Sequence, residues 1–203
     1  MLLSALFTFI SNALATPAEQ HQGKFQISGF SFDGKITGDI IVGHNGELDL
    51  RLQRPSGLSL FSFTYTGSDV CLFFDMDSTQ YKGSAQEFNT FFNNVLLAEQ
   101  LHSLFAPNPQ ISPNNWQWTE NNKNNKIKEL HISDIHTNKR VIEMQYRQFR
   151  KSEPSKFALH ILQNDWKLKA NIQQRKTIDW NFSCATNADI TVLPLEKMLP
   201  NGN

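Results

Sequence analysis

The sequence has no excess of either charge and very few cysteines, and both scarcities exclude classes of protein. Lys and Arg together number 19, as do Asp and Glu, and neither sign forms a long run. Such a balance argues against nucleic-acid binding and against strong electrostatic docking to an anionic membrane. Cys71 and Cys184 are the only cysteines, too few for a cysteine metal site or a C-x-x-C redox pair.

Common catalytic motifs are also missing. There is no G-x-S-x-G, no H-E-x-x-H, no phosphate-binding glycine loop and no dinucleotide fingerprint. Asp75 and Asp77 form a D-x-D, but at a predicted strand end this pattern is more typical of a turn. His131 and His136 are five residues apart on a predicted strand and would point to opposite faces, so we discount a metal site with Asp134. The sequence therefore predicts no enzyme, no metal and no cofactor.

Long apolar runs are absent except at the start of the chain. Residues 1–15, MLLSALFTFISNALA, form an apolar stretch that ends in a small-x-small pattern and predicts a signal peptide. An N-terminal strand or a membrane anchor is the alternative. No cysteine follows the run to carry a lipid anchor. We therefore expect residues 16–203 to form one exported, soluble domain.

The two cysteines leave two alternatives open. In an oxidising compartment they would pair, and closing a loop of that length would stabilise the fold by roughly 4–5 kcal/mol. Because Cys71 lies inside the apolar run 70–74, a buried free thiol is the other interpretation.

Residues 84–105 contain the clearest helical pattern. Apolar residues recur there at the spacing of one helix face: Phe88, Phe91, Phe92, Val95 and Leu96. Ser84 and Glu87 have the spacing of a capping box, which predicts where the helix begins. Asn93 and Asn94 are poor helix formers, so we expect two short helices rather than one.

Nearly all of the remaining sequence alternates as β-strands do. Leu48, Leu50 and Leu52 alternate with polar residues, and His44-Asn45-Gly46 before them predicts a hairpin turn. Gly29 predicts a bulge. We expect strands at about ten places: residues 24–32, 35–42, 47–54, 58–66, 70–75, 116–119, 127–135, 140–149, 156–162, 166–172 and 177–182.

This order predicts an α+β fold that is mainly β. A large antiparallel meander curls toward an incomplete barrel, and the helical pair would cover its concave face as a lid. Sixteen phenylalanines add apolar volume without hydrogen-bonding groups. The helices would either fill the interior completely or leave a cavity for an acyl chain, and the composition does not separate the two.

The order of elements resembles the periplasmic lipoprotein carriers of the Lol system, the LolA/LolB-like family. The stretches that carry the likeness are LDLRLQRP at 48–55, GSDVCLFFD at 67–75 and YKGSAQEFNTFFNNVLLAEQLHSLFAPNP at 81–109. The likeness spans roughly residues 24–182. It implies a half-barrel that binds acyl chains beneath lid helices.

The resemblance also implies a role for Arg54, which matches an arginine that hydrogen-bonds the lid shut. The alternative is a solvated residue at a strand end. The sequence departs from the family in three respects. Gln53 stands where the shuttle has a lysine, and Ser56 stands where the acceptor exposes a leucine. The lipidated cysteine of the acceptor is missing. A soluble carrier is therefore expected rather than a membrane-anchored acceptor.

The function expected from this likeness is a soluble, monomeric periplasmic carrier of an acylated lipoprotein or other lipid. Its partners would be an inner-membrane releasing complex or an outer-membrane acceptor. A binding or scaffold protein with a filled core is the second hypothesis, and a hydrolase on the same half-barrel is the third. The expected cavity-lining residues are Leu50, Leu52, Leu60, Phe61, Phe63, Phe88, Phe91, Phe92, Leu97, Leu101, Met144 and Tyr146.

Overall fold

The structure is a computed structural model. It describes residues 15–28, 34–54, 56–91, 94, 97–105, 116–123, 126–134, 137–150, 153–162, 165–184 and 189–198. The predicted signal peptide, apart from Ala15, and the predicted bulge at Gly29 lie outside these residues and stay predictions. The expected division of the chain at residue 15 also stays a prediction.

Most of the described chain forms one open, curved sheet, which confirms the predicted fold class. Its strands are β1 (Thr16–Ser28), β2 (Gly34–Gly43), β3 (Leu48–Gln53), β4 (Ser59–Tyr65), β5 (Asp69–Phe74), β6 (Thr79–Ser84), β7 (Trp116–Lys123), β8 (Lys126–Asp134), β9 (Arg140–Arg150), β10 (Glu153–Ile161), β11 (Trp166–Trp180) and β12 (Thr191–Pro194). Their order across the sheet is β12-β6-β5-β4-β3-β2-β1-β11-β10-β9-β8-β7. Neighbours are antiparallel except β12 and β6, which are parallel.

The residues that the structure describes include three short helices: α1 (Ala85–Phe91), and the 3-10 helices η1 (Ala98–Phe105) and η2 (Leu195–Met198). The predicted capping box begins α1. Glu87 Oε2 accepts from the backbone N–H of Ser84 at 2.6 Å, and Ser84 Oγ accepts from the N–H of Glu87 at 3.2 Å. The two predicted helices are therefore present, although the second is a 3-10 helix.

The strand predictions differ from the structure at several places, among them β7, which continues to Lys123 beyond its predicted end at residue 119. β1 begins at Thr16, eight residues before its predicted start, because its polar first half pairs with both β2 and β11. β6 and β12 were not predicted as strands, and they pair with each other. The two predicted strands 166–172 and 177–182 are one strand, β11, with a register shift opposite Gln22 and Gly23. The sheet therefore has twelve strands rather than about ten.

One face of the sheet, which we call the inner face, packs against α1 and η1. The core residues of both halves of the sheet belong to one cluster with those of the helices, from Phe25 and Ile40 to Ile132 and Met144. The opposite face is the outer face. Ile40 and Ile41 are adjacent and both fully buried. Because successive strand residues point to opposite faces, both faces of β2 are covered.

The cover on the outer face comes from the end of β11 and residues 181–184, which we call the strap. Asp49 points to the outer face and is 1% exposed, and its carboxylate accepts from Trp180 Nε1 at 3.1 Å and from Arg51 Nε at 3.0 Å. The Arg51 guanidinium also lies 4.5 Å from the centre of a Trp180 ring. A buried carboxylate needs such partners, since an unpaired buried charge is strongly unfavourable.

A disulfide fixes the far end of the strap. Of the two alternatives left open for the cysteines, the structure has the disulfide, which joins Cys71 of β5 to Cys184 with their Cα atoms 5.8 Å apart. The strap therefore runs from β11 across the outer face to β5. Beyond the strap, Leu195 of η2 is buried in the core. It lies close to Gly83, because a Cβ added to Gly83 would be 3.0 Å from the Cβ of Leu195.

Paired glycines lie where β1 and β2 approach their neighbours most closely. Gly23 and Gly38 are opposite each other. A Cβ added to Gly38 would lie 2.2 Å from the backbone oxygen of Arg51, and one added to Gly23 would lie 2.5 Å from that of Asn171. Glycine at such points permits the close backbone approach of a bent sheet.

We expect Gly38→Ala to lower the free energy of unfolding by about 1–3 kcal/mol, because the new methyl group would force β2 and β3 apart. Urea denaturation would measure the change. Thr37→Ala, at the exposed neighbouring position, is the matched control and should stay within about 0.5 kcal/mol of the wild type. Equal stability of the two variants would show that the glycine is not required.

Candidate functional site

The residues expected to line a cavity lie at the contact between the inner face and the helices. Most of them are buried in the shared core: Leu52, Leu60, Phe63, Phe88, Leu101, Met144 and Tyr146. Leu50 and Phe61 pack against that core, Phe91 and Leu97 are half-buried, and Phe92 lies outside the described residues. The role of these residues as a lipid-binding cavity stays a prediction.

Strand register brings the predicted residues of the first half of the sheet onto one face. Leu50 is opposite Phe63, and Leu52 is opposite Phe61. Leu60 lies at a register shift between β3 and β4, next to these pairs. Met144 and Tyr146 lie in the other half of the sheet, on β9. The helices therefore cover residues that are far apart in the sequence.

Three of the contacts that the structure describes lie between the helices and the inner face. The Phe88 ring of α1 lies 5.5 Å from that of Phe63, and the Phe105 ring of η1 lies 5.3 Å from that of Phe157, both measured between ring centres. The hydroxyl of Tyr146, which lies opposite Phe157 in the sheet, donates a hydrogen bond to the backbone oxygen of Leu104 at 3.1 Å. The described side chains of the helices therefore pack directly on those of the sheet.

The two helices are also tied to each other. Asn89 of α1 accepts from the backbone N–H of Ala98 at 2.8 Å and donates to the Glu99 carboxylate at 3.0 Å. This side chain satisfies an N-terminal N–H of η1 that the helix itself leaves unpaired. We refer to α1 and η1, joined in this way, as the lid.

The Tyr146 hydroxyl is the polar contact between lid and sheet that the sequence did not reveal. Burial raises the pKa of Tyr146 above its ordinary value, so the hydroxyl stays protonated and donates. Its partner, Leu104, is 42 residues away in the sequence. Sequence periodicity placed Tyr146 on the inner face but gave no sign of this bond.

We expect Tyr146→Phe to loosen the lid, because it leaves the buried backbone oxygen of Leu104 without this donor at a cost of about 1–3 kcal/mol. Hydrogen–deuterium exchange of the η1 amides should become faster, while the central strands β1 and β2 stay protected. Tyr81→Phe removes the same group from a ring that packs edge-on against Phe74, and is the control. Unchanged exchange in η1 would contradict a tethering role.

Arg54, the expected latch, lies in the turn after β3. Its guanidinium donates to the Met76 sulfur at 3.7 Å, and its backbone pairs with Leu58 and Gly57. The contact with Met76 joins the β3–β4 hairpin to the β5–β6 hairpin, whereas the two backbone hydrogen bonds lie within the β3–β4 turn. None of these contacts is to the lid. The latch role of Arg54 stays a prediction.

A second polar pair on the inner face was not predicted either. His21 of β1 is 5% exposed and lies opposite Arg175 of β11, whose Nε donates to His21 Nδ1 at 2.8 Å. Burial, and then the charge of Arg175, lower the pKa of His21 to about 4. His21 is therefore neutral at pH 7. The two residues are 154 apart in the sequence, which gives no signal that they meet.

The lowered pKa of His21 predicts a loss of stability in weak acid. An unfolded histidine takes up its proton near pH 6.5, whereas the folded chain does so only near pH 4. Stability is therefore fully present above pH 6.5 and falls between these values, by about 3 kcal/mol in total. Urea denaturation from pH 7.5 to 4 should show this loss in the wild type and a smaller one in His21→Gln. Parallel curves for the two proteins would contradict the assignment.

No helix among the residues described is both long and apolar enough to cross a membrane. Within the same residues, no group of three or more His, Cys, Asp or Glu side chains is arranged to hold a metal ion. The described core residues of the inner face are mainly apolar, and the pair of His21 and Arg175 is polar.

Comparison with solved structures shows where this arrangement recurs. A domain from Vibrio parahaemolyticus, assigned to outer membrane lipoprotein sorting, matches with a TM-score of 0.50 at 7% identity and covers 79% of this chain and 85% of its own. A LolA superfamily protein from Nitrosomonas europaea matches with a TM-score of 0.48 at 8% identity over 82% and 90%. A DUF1329 family protein from Desulfovibrio piger matches with a TM-score of 0.45 at 8% identity over 80% and 85%.

No protein-family model matches the sequence, and the search of curated proteins gave no match. Identities this low establish a shared fold alone. The chain has a LolA-like fold, and the resemblance predicted from the sequence is confirmed at that level.

Proposed function

We propose that this protein is a soluble periplasmic carrier that binds the acyl chains of a lipoprotein or other lipid between the inner face and the lid. It would deliver them toward the outer membrane. The observation that carries the proposal is the construction of the core, in which a short lid covers an apolar surface made by both halves of a curved sheet. The assignment of the similar Vibrio parahaemolyticus domain to outer membrane lipoprotein sorting supports it.

The free energy of the lid contacts is small enough for the burial of a hydrocarbon chain to offset it. An aromatic pair contributes about 1 kcal/mol beyond the area it buries, and a hydrogen bond such as that of Tyr146 contributes about 1 kcal/mol. Burying an acyl chain is favourable by roughly 0.8 kcal/mol for each methylene. A chain of about a dozen carbons would therefore offset the opening of the lid and cover the apolar surface that the lid leaves.

The packing also indicates how uptake would begin. Because Phe88 rests directly on Phe63, the acyl chain would enter as the lid moves away from the sheet. Lid movement of this kind gates entry and release in many proteins. A releasing complex at the inner membrane and an acceptor at the outer membrane are the partners that such a cycle would need.

The disulfide supports the proposed compartment. Disulfides such as that between Cys71 and Cys184 form and persist in oxidising surroundings, which include the bacterial periplasm.

The alternative is a binding or scaffold protein whose interior is permanently filled. The direct packing of the described lid side chains on the sheet favours it. The two functions differ in one measurable respect, because only a carrier takes up a hydrocarbon chain.

Displacement of a bound fluorescent fatty-acid probe by straight-chain alcohols of eight to twelve carbons would distinguish the two functions. For a carrier we expect saturable displacement, with affinity increasing about fourfold for each added methylene. Affinity that does not depend on chain length would indicate binding elsewhere on the surface. Failure of the probe to bind at all would favour the scaffold function.

A further inference from the structure

Basic and acidic residues are equal in number over the whole chain but are unevenly distributed along it. Residues 139–169 contain eight Lys and Arg but three Asp and Glu, whereas residues 39–99 contain three Lys and Arg but eight Asp and Glu. The first range covers β9, β10 and the start of β11, and the second runs from β2 to η1. These strands lie in opposite halves of the sheet, so the two signs of charge are separated in space.

Strand register places five basic residues together on the outer face. Because Phe25 and Tyr146 belong to the inner-face core, their neighbours along β1 and β9 point to the outer face. One row of directly opposite residues is Lys24, Asn171, Lys156 and Arg147, and the adjacent row is Lys35, Gln26, Lys169, Ala158 and Gln145. We call the basic residues of these two rows the basic face: Lys24, Lys35, Arg147, Lys156 and Lys169.

The side chains of the basic face are accessible and keep their charge. All of them are exposed except Lys156, which is half-buried. Arg147 donates to the neutral side chain of Gln145 at 2.7 Å. Among the residues that the structure describes, none of the five forms an ion pair with a carboxylate.

Three carboxylates lie near the basic face, and two of them have basic partners of their own. Asp165 is 2.7 Å from Lys167, and Glu143 is 3.4 Å from Arg140. Glu129 of β8 continues the second row beyond Gln145. It should weaken the attraction for an anion at that margin, but it is a single charge against five.

The basic face brings like charges close together. Lys156 is directly opposite Arg147, and Lys169 is diagonal to both Lys24 and Lys156, since each of these two lies opposite Asn171. Opposite side chains of an antiparallel pair are about 5 Å apart and diagonal ones about 7–8 Å, and directly opposite like charges lower stability. An anionic partner would relieve this repulsion.

The residue types of the basic face favour a membrane surface as the partner. Its two rows contain no aromatic residue, and Ala158 is their one apolar residue. Specific protein interfaces depend on aromatic and apolar anchors, and proteins that bind single-stranded nucleic acid stack aromatic rings on its bases. A bilayer with anionic lipids attracts basic residues through its surface potential and needs neither feature.

We propose that the basic face docks this protein onto a bilayer that contains anionic phospholipids. Because the chain has no net charge, the attraction is local and depends strongly on ionic strength. The basic face lies on the side of the sheet opposite the lid, so docking leaves the lid uncovered. The inference does not depend on the proposed binding of acyl chains.

Cosedimentation with lipid vesicles would test the docking directly. The vesicles would contain phosphatidylcholine alone, or phosphatidylcholine with about 30% phosphatidylglycerol, which is anionic. In about 0.05 M salt we expect at least tenfold tighter binding to the anionic vesicles, and in about 0.5 M salt we expect this preference to disappear because the charges are screened.

Variants with matched changes of charge assign the binding to the basic face. Each basic residue at an anionic surface raises affinity about fivefold, so Lys156→Gln combined with Lys169→Gln should weaken binding by tenfold or more. Lys82→Gln combined with Lys197→Gln removes the same charge from β6 and η2, and should change affinity less than twofold.

Lys156→Glu separates the cost of the like-charge pair from its use in docking. The new carboxylate would lie opposite Arg147, so the midpoint of urea denaturation should rise. Affinity for the anionic vesicles should fall in the same variant. A lower midpoint, or an unchanged vesicle affinity, would contradict the inference.

The remaining outcomes are also decisive. Equal binding to both kinds of vesicle, binding to neither, or a preference that survives in the Lys156 and Lys169 double variant would overturn the inference. If that variant does not fold, Lys24→Gln combined with Lys35→Gln replaces it, with the same expected loss. Binding to polyglutamate but not to anionic vesicles would assign the face to an acidic polypeptide and also overturn the inference. None of these results alters the carrier function, which the displacement of the fatty-acid probe tests separately.

Discussion

The contact between the lid and the inner face is the interaction on which the rest of the structure depends. A curved sheet of twelve strands has an inner face too large to leave in water, and among the described residues the two short helices α1 and η1 cover its centre. Phe88, Phe105 and the Tyr146 hydroxyl make this cover specific. Each of these contacts contributes only about 1 kcal/mol, so the stability of the lid on the sheet depends on all of them together.

The outer face is held together by contacts that are separate from those of the lid. Ile41 and Asp49 are buried beneath the end of β11 and the strap, and the disulfide between Cys71 and Cys184 fixes the strap across the strands that carry Phe63 and Leu50. Covering the outer face in this way holds the first half of the sheet together independently of the lid.

Local sequence patterns were sufficient for most of the elements but not for the contacts between distant segments. Ser84 and Glu87 predicted the start of α1, and the alternation of Leu48, Leu50 and Leu52 predicted the face that packs on the lid. β12 was missed because its four residues gain their partner only through parallel pairing with β6. Asp49 with Trp180, and His21 with Arg175, are separated by 131 and 154 residues, so only the folded register brings them together.

Photoaffinity labelling with a fatty acid that carries a diazirine at the end of its chain would test the central claim most directly. The account predicts saturable labelling of peptides from the inner face and the lid, such as those containing Phe63 or Leu101, and competition by unlabelled fatty acid. Labelling confined to the outer face, or labelling that does not saturate, would contradict the claim that the acyl chain lies between sheet and lid.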